Sequence, residues 1–247
     1  MVCFEIRIAQ CFLMNNFNFK NRILLSITGE GSLDWSNKLK EINELKIKRV
    51  ALFLERFDKN ERDNLYRLLV KSCIKEIPFV HLRHDVSVKE IDFLIKKYKT
   101  RYFNIHEENF KIINKWKPYW DKLYLEMNYD DNINKDVKVR KIAGFCVDLA
   151  HFKASIARGT EEAYYTYLRK NKIKFVCNHI GGYNPNKRHD IHIVNNLKDF
   201  NYLITLPKYV FGKMLAIEVD NSIKEQLKMK DYLVNILNDY FLSEKTK

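Results

Sequence analysis

Two short spacings in this chain place metal-binding chemistry within a few residues: Asp148-Leu-Ala-His151 and Asp190-Ile-His192. Carboxylate and neutral imidazole are both good ligands for borderline divalent ions such as Zn²⁺ or Mn²⁺. The first spacing closes an apolar, β-prone run, Phe145-Cys-Val147, and other apolar runs also end on an acid or a histidine. His84 follows the third run, His106 ends the fourth, Glu126 the fifth, His179 the seventh and Glu218 the eighth. Collected, these run-ends give nine candidate metal ligands: His84, His106, Glu126, Asp148, His151, His179, Asp190, His192 and Glu218. The mixture suits Zn²⁺, Mn²⁺ or Fe²⁺, and a bridging carboxylate would allow more than one ion. A lone histidine at a strand end is more often a hydrogen-bonding residue than a ligand. The argument rests on the set, because all seven histidines fall in or beside these run-ends. His81 is ambiguous, with an orientation into the interior as one option. Arg188 is a candidate for bidentate phosphate binding, and His189 for a substrate contact.

Such a set converges only if the runs are parallel strands whose C-terminal ends share one face. The chain reads that way. Apolar runs at Asn21–Thr28, Arg49–Glu55, Ile77–His81, Arg101–His106, Lys122–Glu126, Ala143–Asp148, Lys172–His179 and Lys213–Glu218 alternate with amphipathic segments. Ser87 and Thr160 read as helix N-caps. The helix after the fifth run is poorly marked, and Gly181–Asn196 reads as a long loop. A last helix is expected over Ser222–Leu242. Eight strands alternating with helices in one chain predict an α/β fold, a single (β/α)₈ TIM barrel. The open doubly wound alternative would call for a glycine-rich phosphate loop, and neither GxGxxG nor a Walker motif is present. Residues 1–19 read as an N-terminal extension, an extra strand or a disordered leader, and residues 20–247 as the barrel domain.

The 247 residues suffice for one such barrel, and 46% hydrophobic content supports a substantial core. No apolar run approaches the roughly 18 residues of a membrane span. The opening residues lack the basic region and cleavage site of a signal peptide, so a cytoplasmic protein is expected. Five scattered cysteines without a CxxC pair are expected to be reduced. The net charge of +13 favours an anionic partner, nucleic acid or a sugar phosphate.

At these residues the chain resembles the xylose isomerase-like barrels, which include sugar-phosphate isomerases and epimerases and endonuclease IV (the second AP endonuclease family). Glu126, Asp148, His179 and Glu218 are similar to the ligand set shared across that superfamily. Asp148-Leu-Ala-His151 resembles its D-x-x-H after strand six, and Asp190-Ile-His192 with Asp199-Phe200 resembles its D-x-H and D-F run. His84-Asp85 and His106 resemble the further histidines of endonuclease IV, whose site holds three zinc ions. Val194-Asn-Asn196 replaces the family's Gly-x-Gly, and Glu107-Glu108 stands where endonuclease IV has Pro-Gly.

The resemblance implies two enzymatic functions. One is a metal-dependent hydrolase, an endonuclease IV-like phosphodiesterase active in DNA repair on abasic or related nucleic acid through a multinuclear zinc site. The other is a sugar or sugar-phosphate isomerase or epimerase with one Mn²⁺. In that reaction Glu126 and Glu218 would also be catalytic, moving the proton, while His151 and Arg188 hold substrate. A barrel that binds a ligand without turnover is a third, non-enzymatic reading.

Overall fold

Alternating side chains on short parallel strands build two separate cores. The structure, a computed structural model, describes residues 18–29, 32–126, 141–160 and 174–243. Its strands are β1 (Ile23–Leu24), β2 (Ser26–Ile27), β3 (Ala51–Phe53), β4 (Phe79–His81), β5 (Tyr102–His106), β6 (Leu123–Glu126), β7 (Gly144–Asp148), β8 (Phe175–Ile180), β9 (Gly182–Asn184), β10 (His189–Ile191) and β11 (Met214–Ile217). Nine of them form one parallel sheet in the order β1-β11-β8-β7-β6-β5-β4-β3-β2. Only Leu25 separates β1 from β2, yet Ile23 pairs with Leu215 of β11 and Ile27 with Leu52 of β3. The run Ile23–Ile27 therefore joins the two edges, and the sheet is nearly closed and barrel-like.

Because side chains alternate along a strand, one set of residues faces inward. Leu24, Ala51, Phe53, Phe79, Tyr124, Cys146, Cys177 and Ala216 form this inner cluster. The alternate positions, among them Ile27, Leu52, Val80, Phe103, Leu125, Val147 and Leu215, join a larger outer core with the helices. These helices are α1 (Phe19–Arg22), α2 (Ser32–Glu44), α3 (Lys59–Lys71), α4 (Val88–Tyr98), α5 (Leu149–Arg158) and α6 (Ile223–Leu242). Ser87 caps α4 as expected, accepting from the Glu90 backbone N–H while Glu90 answers to the Ser87 N–H. Asp58 with Glu61 and Ser222 with Glu225 do the same for α3 and α6.

Some local expectations change. The amphipathic segment after the fourth run is a long 3₁₀ run, Glu107–Lys122, kinked at Trp116. Pro118 lies inside it and lacks the N–H that an α-helix would use there. Leu197–Thr205 is also 3₁₀. Within the expected loop 181–196, β9 and β10 pair as an antiparallel hairpin. Residues 1–17 of the extension expected over 1–19, the helix after Thr160 and the weak helix after β6 lie outside the described residues, as do Cys3 and Cys11, while Asn18 caps α1 and Phe19 is buried at its start. The described cysteines, Cys73, Cys146 and Cys177, form no disulfide. Among the described residues no helix is long and apolar enough to cross a membrane.

A buried ion cluster ties α3 to α4. Arg62, fully buried, pairs with Glu90 at 2.8 Å and Asp85 at 2.9 Å and donates to the Phe57 carbonyl. Burial works against the Glu90 charge, but hydrogen bonds from Arg62 and Ser87 outweigh it and hold the carboxyl below its ordinary 4.5. A depressed carboxyl contributes stability that is fully present above the unfolded pKa and is lost as pH falls through the folded value. The urea midpoint should therefore fall as pH drops below about 4.5. In Glu90→Gln this part of the acid dependence should disappear; an unchanged pH profile in that variant would remove Glu90 from the cause.

Candidate metal centre

The inner residues of the strands end in a layer of ligand-type side chains. Phe53 is followed two residues later by Glu55, Phe79 by His81, Asn104 by His106, Tyr124 by Glu126, Cys146 by Asp148, Cys177 by His179 and Ala216 by Glu218. Period two therefore turns all seven of these donors toward the interior at the C-terminal end of the sheet. Strand register sets them side by side, with His106 opposite Glu126, and Asp148 opposite His179.

Three overlapping donor groups result: Glu55, His81 and His106; His81, Glu126 and His179; and Glu126, Asp148, His179 and Glu218. Within each group the ligand atoms lie within 4.8 Å of one another. The four residues expected to share a metal thus do meet. His179 Nδ1 stands 3.1 Å from both Glu126 Oε1 and Glu218 Oε2. Asn104 donates to Glu126 Oε2 at 2.7 Å and orients that carboxylate. Phe53 and Phe79 pack against the His179 ring, with centroids 4.8 and 5.4 Å away.

The electrostatics are those of a set that wants a cation. Glu126, Asp148 and Glu218 are all buried, and among the described residues no lysine or arginine pairs with them. Burial raises the pKa of Glu218. For Glu126 burial also acts upward, but His179, His106 and His81 outweigh it and drive it well below the carboxylate range. Burial acts downward on His179, and the two flanking glutamates overturn that, so it holds its proton strongly. Its Nε2 is buried with no hydrogen-bond partner. His81 is the opposite case: burial lowers it to about 4, leaving a neutral imidazole. Neither of its nitrogens makes a hydrogen bond, although Nε2 lies 3.4 Å from Glu55 and 3.7 Å from Glu126. A deprotonated ring nitrogen between two carboxylates fits a divalent cation better than it fits any hydrogen bond.

Beside this layer lies a second cluster. Asp148 caps α5 by accepting from the His151 backbone N–H at 2.7 Å, which starts the helix at the strand end. His151 and His192 flank Asp190, Nε2 to carboxylate at 3.2 and 2.8 Å. Burial opposes the His151 charge, but Asp148 and Asp190 bring it up to about 10. The bond to Asp190 holds His192 at about 9. The hairpin β9–β10 carries Asp190 to this position.

Of the expected residues, His151, Asp190 and His192 fall outside the three donor groups and form the second cluster, while His84, Arg188 and His189 sit apart from both. His84 lies past the end of β4, exposed, its carbonyl accepting from Lys115; His81, in phase with Phe79, takes the inward place. Arg188 and His189 are exposed on the hairpin. Three contributors went unnoticed in the sequence: Glu55, the aromatic wall of Phe53 and Phe79, and Asn104. Glu55 bonds His106 Nε2 at 2.8 Å. Burial pushes Glu55 up, but His81 and His106 outweigh it and hold the carboxyl down at about 2. The signal was available, since the second apolar run already ended on that acid.

The chain matches no protein-family model and no curated protein. Fold and donor geometry are what the functional reading rests on.

Proposed function

We propose that this protein is a metal-dependent phosphodiesterase acting on nucleic acid, built on a (β/α)₈ barrel of the xylose isomerase-like type, with zinc as the metal. One observation carries the reading. The donors run past the four-residue set to His81 and His106, so Glu126 belongs to two groups at once, as a carboxylate bridging two ions would. When bound, such ions supply a hydroxide nucleophile near neutral pH and neutralise charge on the attacked phosphate and the leaving oxygen.

The remaining roles fall to this chain's own residues. Asn104 fixes the Glu126 carboxylate. Asp190 holds the His151 and His192 rings and keeps positive charge beside the acidic layer, where a phosphate can be received. The inner aromatic residues below the layer close it off from the apolar interior.

A second reading keeps to the four-residue donor set alone, a mononuclear site acting on a sugar or sugar phosphate. Glu126 and Glu218, both 3.1 Å from His179 Nδ1, would then move the proton.

Assay of the zinc-loaded protein on an abasic-site duplex and on sugar phosphates separates the two. Nicking of the duplex is expected, with affinity falling about 0.9 log units per neutralised phosphate for each log unit of salt. A flat salt response with isomerisation of a sugar phosphate would instead establish the second reading.

A further inference from the structure

At the opposite end of the sheet, where the strands begin, lies a cavity of about 1060 Å³. That is ample for a small ligand, since such pockets are typically about 300–1,000 Å³. Gly212, which lines it, is six residues before Glu218, so roughly 20 Å of strand separates the cavity from the metal centre.

Its lining is cationic and aromatic. Arg22 is the central group. Its guanidinium stacks over Phe19 at 4.2 Å and donates to the Phe211 and Gly212 carbonyls. Its Nε is buried without a partner, and among the described residues no carboxylate pairs with it. Burial alone brings its pKa down to about 10. Arg49, on the same wall, shares Glu76 with Lys99, and Lys213 stands exposed at the rim. Lys230, itself partly desolvated, lies close enough to Arg49 and Lys20 to be destabilised further by their charges. Glu76 and Asp231 are the carboxylates that act on Arg49, Lys99 and Lys230, and neither pairs with Arg22. A desolvated guanidinium with no counterion is costly by itself, and a phosphate accepting charge-assisted bonds from the part of it that lines the cavity would relieve it. Phe175, Phe211 and Phe241 supply aromatic surface to the same cavity.

We propose that this cavity is a second binding site, for a nucleoside monophosphate, with the phosphate held by Arg22, Arg49 and Lys213 and the base against the phenylalanines. The test is calorimetric titration of the full chain with adenosine monophosphate and with inorganic phosphate. Adenosine monophosphate should bind at least tenfold more tightly than phosphate. Lys213→Glu, at an exposed position, should weaken it at least tenfold without loss of thermal stability. Phe175→Ala should weaken the nucleotide but not phosphate, and in Glu126→Ala, which disables the metal centre, the Lys213-dependent binding of the nucleotide should persist. Arg22→Met, where its melting temperature shows it folded, should abolish binding. Absence of binding would overturn the proposal, as would binding that survives Lys213→Glu and folded Arg22→Met. Binding lost in Glu126→Ala instead would place the nucleotide at the metal centre and overturn it equally.

Discussion

Glu126→Gln should cost the protein both its metal and its activity. The carboxylate belongs to two donor groups, faces His179 at 3.1 Å and is fixed by Asn104. The amide keeps the size but loses the charge, and it presents an N–H₂ to a site that already contains the Asn104 donor. Turnover should fall on the order of a thousandfold or more, the scale seen when a site loses its main charge stabilisation. Metal content should fall with it, and the melting temperature should fall too, since His179 loses one partner of a buried pair and the protein loses the stabilisation of a bound ion. His84→Ala is the matched control. His84 is exposed beyond β4, so metal content and turnover should both stay at the wild-type level. Metal analysis and single-turnover assays on the two variants read this directly. A Glu126→Gln protein with full metal, or a His84→Ala protein without it, would mean that the donors have been wrongly grouped.

The largest expected effect on stability is at Arg62. Arg62→Leu keeps the bulk of the stem but leaves Glu90, only 7% exposed, without its cation. Breaking one side of a buried ion pair typically costs about 3–5 kcal/mol. The pH dependence should also change sign. With Arg62 present the Glu90 carboxyl is depressed, and acid destabilises. Without it, burial dominates and the folded pKa of Glu90 rises above the unfolded one. Stability is then lost as pH rises through the window between the two values. Urea denaturation of Arg62→Leu from pH 4 to pH 8 should show the cost growing with pH. A loss below about 1 kcal/mol would place this cluster with exposed pairs of little worth.

The sheet was legible because buried strands leave apolar runs that stop on polar residues, and each of the eight runs contains strand, although the first opens in α1 and splits into β1 and β2, and the second shortens to Ala51–Phe53. Glu126, Asp148, His179 and Glu218 followed because each is the last inward residue of its run. The error at β4 has a simple physical cause. The His84-Asp85 pair looks like a motif, but inward direction is set by parity with Phe79, and only His81 has it. The same parity rule applied to Phe53 would have placed Glu55 in the site. Asn104 was illegible, as its role depends on a neighbour strand's register. The hairpin was hidden because β9 and β10 are short and partly exposed. Its turn is built by Asn184, whose side chain accepts from the Asn186 and Lys187 backbone N–H groups.

Metal stoichiometry tests the multinuclear centre most directly. Protein purified, stripped and reloaded with zinc should bind about two to three ions per chain, as expected where carboxylates bridge neighbouring ions. His81→Ala with His106→Ala should lose about one of them while keeping the ion of Glu126, Asp148, His179 and Glu218. A wild-type protein that saturates at one ion or fewer, or a double variant that keeps the full wild-type count, would contradict it.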